Sequence, residues 1–141
     1  MMVGIIEQVY AWNQLRQDKP SLAKRELVEA DDVTIAAAFA LREHLLSEEA
    51  AEANEALADY AKDPTTPHLA HLCKELFDVI FVAIGTLQHL GVTETQAARI
   101  LAAGCYSNDS KPATVLKPGE KGSKGDSFVP AEPLIIDILE N

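Results

Sequence analysis

Two groups of acidic side chains are the residues of this sequence best placed to do chemistry. Glu48, Glu49 and Glu52, with Glu55 one turn later, stand in REHLLSEEAAEANEALADY; Glu75 and Asp78 stand in HLCKELFDVIFVAIGTLQHL. At helical spacing Glu48, Glu49 and Glu52 fall within an arc of about 100°, and Glu75 and Asp78 are one turn apart. Leu76, Phe77, Val79, Ile80, Phe81 and Val82 make the second helix apolar on nearly every side, which predicts a central position for it. A Glu and an Asp on a central helix require a compensating charge. Mg²⁺ and Mn²⁺ favour carboxylate oxygen in octahedral geometry, so an E-x-x-E facing an E-x-x-D predicts a divalent-metal site of the kind helical bundles build. Histidine at Glu-x-x-His spacing is absent, which argues against a di-iron centre. The competing reading is a solvated acidic face, the usual fate of a charge run. That reading suits Glu48 to Glu55 taken alone better than it suits Glu75 and Asp78.

The elements that must position these acids follow from the break between them. In KDPTTP, Pro64 ends the first helix, Thr66 is the expected N-cap and Pro67 the expected first helical residue. So short a connection makes the two helices antiparallel neighbours. Glu52 lies twelve residues before Pro64 and Glu75 nine after Thr66. At ~1.5 Å rise per residue the two groups reach similar heights.

Around this pair, residues 3–16 read as a helix with Ile5, Ile6, Val9, Tyr10 and Trp12 on its apolar face. SLAKRELVEA fits either a short helix or an ordered loop. Asp31 or Asp32 caps a long helix over about 33–61, with Ile35, Phe39, Leu46, Ala50, Ala53, Leu57 and Tyr60 as its stripe. Gly91 suits the residue after the next helix. Thr93 and Gln96 form a capping box for a further helix reaching about Asn108, with Ala97, Ala98, Ile100 and Leu101 on its buried side. Beyond Ser107 the chain is polar and rich in Gly and Lys, which predicts a mobile loop, and Pro130 and Pro133 are expected to hold the apolar tail extended. The expectation is a single all-α domain: an antiparallel bundle of four to five helices (core 33–110) followed by a Gly/Lys-rich loop and tail over 111–141.

With 141 residues, 48% apolar and 24% charged, the chain is long enough for one core. Its 22 Asp and Glu against 12 Lys and Arg leave a formal charge of −10, unsuited to nucleic acid as a partner. Cys73 and Cys105 make no disulfide framework, and the N-terminus shows neither a signal peptide nor any ~20-residue apolar span, so a soluble cytoplasmic protein is expected. His68, His71 and Cys73 superficially suggest zinc, but Cys73 points off the face the histidines share. His44 and His89 carry no distinguishing context. Lys111, Lys117, Lys121 and Lys124 stand out in an acidic chain; a Gly-rich segment bearing lysines can fold over phosphates, or can simply be solvated. Tyr10 and Trp12 fit core or interface positions better than base stacking, although Trp12 is retained as a candidate substrate contact.

R-x-x-L-L-x-E-E-x-x-E (Arg42 to Glu52), then E-L-x-D-V (Glu75 to Val79), L-G-V (Leu90 to Val92), S-N-x-S-K (Ser107 to Lys111) and G-E-K-G-S-K-G (Gly119 to Gly125) resemble the all-α nucleoside triphosphate pyrophosphohydrolases. These comprise the MazG-like enzymes, phosphoribosyl-ATP pyrophosphohydrolase and the dimeric dUTPases. The resemblance covers roughly residues 33–133. It implies a helical homodimer or higher oligomer, dependence on Mg²⁺ with Mn²⁺ as a substitute, and cleavage between the α- and β-phosphates of a (d)NTP to give a nucleoside monophosphate and pyrophosphate. It further implies Glu49, Glu52, Glu75 and Asp78 as metal ligands, Glu48 and Glu49 as catalytic groups, and Asn108, Lys111, Lys121 and Lys124 as phosphate contacts. Phosphoribosyl-ATP and dUTP are the alternative substrates, and a non-catalytic metal-binding dimer or interaction scaffold is the alternative class. Residues 13–32, which would help form a base pocket, match no pattern of the family, and P-G-E-K stands where relatives tend to have D-G-K.

Overall fold

The computed structural model describes residues 4–16, 22–23, 31–113 and 116–141. The described residues form five α-helices: α1 (Ile5–Arg16), α2 (Asp32–Lys62), α3 (Thr66–His89), α4 (Glu94–Asp109) and α5 (Ala131–Glu140). No strand occurs among the described residues. The chain divides into two compact units, Met1–Thr93 and Glu94–Asn141. Most of SLAKRELVEA lies outside the described residues. No helix among them is long and apolar enough to cross a membrane.

In the first unit α2 and α3 are the most extensively paired helices, with α1 packed on α3. Asp31 starts α2: its carboxylate accepts hydrogen bonds from the Thr34 amide and hydroxyl, both at 2.7 Å. Those two bonds hold the Asp31 carboxyl below its ordinary value. The N-cap of α3 is Thr65 rather than Thr66, accepting from His68 N at 3.4 Å. Pro67 consequently falls within the first turn, where a missing N–H costs no intrahelical bond. α3 is capped by Leu90, and Gly91 follows with a φ of 85°, open to glycine and strained for other residues.

Cross-links fix α1 against the end of α3. The Tyr10 hydroxyl donates to Val92 O at 2.6 Å, Gln88 Nε2 donates to Tyr10 O at 3.1 Å, and Trp12 meets Phe81 edge-on at 5.2 Å. Leu22 N donates to His89 O at 2.7 Å, and Val9, Tyr10, Leu22, Leu72 and Ile84 are buried.

Two expectations about packing are corrected. The apolar helix α3 is not enclosed: Leu69, Leu76, Phe77 and Ile80 are all more than 40% exposed, since α1 and α2 cover only part of its circumference. On α2, Phe39, Leu46 and Leu57 of the expected stripe are exposed, and the buried residues are Ala53 and Ala56. Small alanines are what α2 buries, while Phe39, Leu46 and Leu57 stay exposed.

In the second unit α4 packs on α5. The buried positions of α4 are Ala97, Ala103 and Ser107, so Ala98 and Leu101 lie off the buried side expected for them. The tail expected to be extended is helical. Pro130 is the N-cap and Pro133 the third helical residue of α5, both positions where an amide has no intrahelical acceptor, and Ile138 is buried. Between the helices, Val129 N donates to Ser110 Oγ at 2.7 Å and Ser127 Oγ to Ser110 O at 2.8 Å, tying the end of the loop to the end of α4.

Candidate active site

The antiparallel α2–α3 pair brings the two acidic groups together. Carboxylate oxygens of Glu49, Glu75 and Asp78 lie within 4.8 Å of one another, as do those of Glu48, Glu49 and Glu52. Glu49 belongs to both groups and joins the two helices' acids into one continuous patch. Glu55 is in neither group; it lines a neighbouring depression with Asp59, His71 and Lys74.

Burial within the patch is uneven. Glu75 is only 4% exposed. Its Oε1 is 3.4 Å from Lys74 Nζ and 3.7 Å from His71 Nε2, and Lys74 Nζ also reaches Asp78 Oδ2 at 2.6 Å. Hydrogen bonds to Asp78 and then to Glu75 hold the Lys74 ammonium above its ordinary lysine value. Lys74 therefore neutralises the outer edge of this pair. On the inner side, Glu49 Oε2 and Glu75 Oε2 are buried with no hydrogen-bond partner. Leaving an acceptor buried and unpaired costs roughly 1–3 kcal/mol, more for a charged group. Glu52 reports the same stress: desolvation, followed by the charges of Glu49, Glu75 and Glu48, pushes its carboxyl above the ordinary glutamate value. Hard oxygen donors, two of them orphaned in the interior, fit a divalent metal ion, and these acids could hold one. Glu48 is exposed on the rim, 2.8 Å from His44 Nε2.

A cleft of about 380 Å³ opens beside the acids. Trp12, Asn13 and Arg16 of α1, Arg42 and Glu49 of α2, and Phe81, Gly85 and His89 of α3 line it. Glu49 thus faces both the carboxylate patch and the cleft. Trp12 presents an edge contact to Phe81 and carries the Arg16 guanidinium 4.5 Å over its ring. Burial lowers the Arg42 pKa, and Arg42 Nη1 donates to Thr86 Oγ1 at 3.5 Å.

Sequence reasoning did not single out Asn13, Gly85 or His89, and gave Arg42 no role. A signal was present for two of them. Arg42 is seven residues before Glu49 and Gly85 seven after Asp78, so each lies two turns away on the acid-bearing face. A lone glycine within an apolar helix also marks close approach.

The second unit holds the remaining candidates. Asn108 is exposed in the last turn of α4, and its carbonyl accepts from Lys111 N at 3.1 Å. The loop returns past Lys111: a Cβ on Gly122 would lie 4.0 Å from Lys111 Cδ. Lys121 is exposed, and Lys124 Nζ lies 5.2 Å over the Phe128 ring.

Comparison with curated proteins finds no match. The family model for phosphoribosyl-ATP pyrophosphohydrolase matches residues 12–103. That span holds the four candidate metal ligands and every side chain lining the cleft. The chain belongs to the phosphoribosyl-ATP pyrophosphohydrolase family, within the all-α MazG-like superfamily of hydrolases that act on phosphoric anhydrides.

Proposed function

We propose that this protein is a Mg²⁺-dependent pyrophosphohydrolase that cleaves a standard or damaged (d)NTP between its α- and β-phosphates, releasing a nucleoside monophosphate and pyrophosphate. The observation that carries the proposal is the pair of buried, unpartnered oxygens on Glu49 and Glu75 beside a nucleotide-sized cleft. Glu49, Glu52, Glu75 and Asp78 would hold Mg²⁺, with Mn²⁺ as a substitute, and the bound ion supplies positive charge against the phosphate oxygens. Glu48, free of the inner group and hydrogen-bonded by His44, is suited to accept a proton from the attacking water. Asn108, Lys111, Lys121 and Lys124 would hold the pyrophosphate leaving group, the three lysine ammonium ions stabilising charge as it develops there. Trp12 would flank the nucleoside.

A second reading is favoured by the family match: phosphoribosyl-ATP as the substrate, with the same bond broken. We further propose a homodimer or higher homo-oligomer, supported by the exposed apolar residues of α2 and α3. A reducing, cytoplasmic compartment suits the free thiols of Cys73 and Cys105.

The deciding assay is pyrophosphate release, with and without Mg²⁺, from NTPs, dNTPs (dUTP included) and phosphoribosyl-ATP. Turnover on this panel that disappears with chelator is the expected result, and the preferred member separates the readings. No release from any of them would overturn the proposal in favour of a non-catalytic metal-binding helical protein. Glu49→Gln and Asp78→Asn should each lower turnover by at least about 100-fold with the helical circular dichroism kept, given that even outer-shell partners of a metal are worth about 10- to 100-fold.

A further inference from the structure

Asn13 is the feature of the cleft that the proposed chemistry leaves unused. It is 9% exposed, and its Nδ2 is buried without a hydrogen-bond partner. A buried amide donor left unpaired is costly in a resting protein, and such groups call for an explanation. Gly85 provides the setting. A Cβ at that position would lie 3.1 Å from Asn13 Nδ2 and 3.5 Å from Arg42 Nη1, so the glycine leaves room where two hydrogen-bond donors converge. Trp12 and Phe81, in edge-on contact with each other, line the same cleft, and Glu49 connects it to the carboxylate patch.

Two converging donors beside the Trp12–Phe81 pair suit a ring edge that presents acceptors. They repel a ring that presents an amino group, since donors would then face a donor. Guanine, hypoxanthine, uracil and thymine carry an oxo group where adenine and cytosine carry an amino group. Resting on the (d)NTP form of the reading above, and set against its phosphoribosyl-ATP alternative, we propose that Asn13, supported by Arg42 across Gly85, is a specificity-determining residue that selects oxo-bearing over amino-bearing bases.

The test uses two matched pairs, inosine against adenosine triphosphate and uridine against cytidine triphosphate, with pyrophosphate release as readout. Wild-type kcat/KM should favour the oxo member of each pair by about tenfold or more. Asn13→Leu should bring both ratios close to one by raising KM for the oxo members while kcat holds. Asn13→Asp, of the same size but acceptor-only, should tilt the ratios toward the amino members. Gly85→Ala, whose methyl group would crowd Asn13 Nδ2, should reproduce part of the Asn13→Leu effect even where that variant folds poorly. Equal wild-type turnover of both members of each pair would overturn the inference, as would a loss in Asn13→Leu that is uniform across all four nucleotides. If no nucleotide is hydrolysed, the catalytic reading fails separately. Calorimetric titration of inosine and adenosine into wild-type and Asn13→Leu protein then decides the base preference by itself, and equal affinities would reject it.

Discussion

Glu52 lies among three other carboxylates, and desolvation together with the charges of Glu49, Glu75 and Glu48 holds its carboxyl above the ordinary value of 4.5. A raised folded-state pKa means that the native state binds the proton more tightly than the unfolded chain does. Stability contributed by this group is therefore present at low pH and lost as pH rises from the ordinary value through the raised one. At neutral pH, metal-free protein should melt at a higher temperature as Glu52→Gln than as wild type, with the difference vanishing below about pH 4.5. The same substitution should shrink the melting-temperature rise produced by Mg²⁺, because binding to the native state stabilises by RT ln(1 + [L]/Kd). Melting curves with and without the ion check both signs. At this scale the acids were legible because carboxylates in an apolar helix conflict with their surroundings in the sequence itself. Asn13 was not, because a polar residue on an amphipathic helix conflicts with nothing until its neighbours are known.

Gly91 illustrates the element scale. Its φ is 85°, and a Cβ there would lie 2.7 Å from Ala23 Cβ, where the chain crosses the end of α3. Gly91→Ala should destabilise the protein by roughly 1–3 kcal/mol, combining left-handed strain with the overlap. A urea midpoint lowered at unchanged m-value is the expected signature. Capping and turn chemistry let most helix boundaries be read within a residue or two, as at Asp31 and Gly91. The C-terminal segment went the other way: two prolines that argue for extended chain in isolation are accommodated at the start of α5, where their missing amides cost nothing. Position relative to a helix start decides what proline does, and that position depends on whether Ile138 finds something to pack against.

At the scale of the whole molecule, the exposed apolar side chains repeat with helical order. Phe39, Leu46 and Leu57 on α2 stand seven and eleven residues apart, and Leu69, Leu76 and Ile80 on α3 seven and four apart, so each set forms a single stripe. The proposed oligomer would cover these stripes. Sedimentation equilibrium should give at least twice the chain mass of 15.3 kDa, and Leu69→Glu combined with Ile80→Glu should yield a monomer of lower thermal stability. A wild-type monomer at micromolar concentration would reject the assembly. The sequence by itself determined α1 to α4 and the spacing of the acids along α2 and α3, because both depend on a local period that neighbouring residues enforce, whereas α5 was not legible in it. It also determined that α2 and α3 run antiparallel, because a connection as short as KDPTTP permits little else. Tertiary structure alone decided which face of each helix is covered and that Asn13, Arg42 and Gly85 meet at one point. Those outcomes depend on the rotation of one helix against another, which side chains distant in the chain settle together.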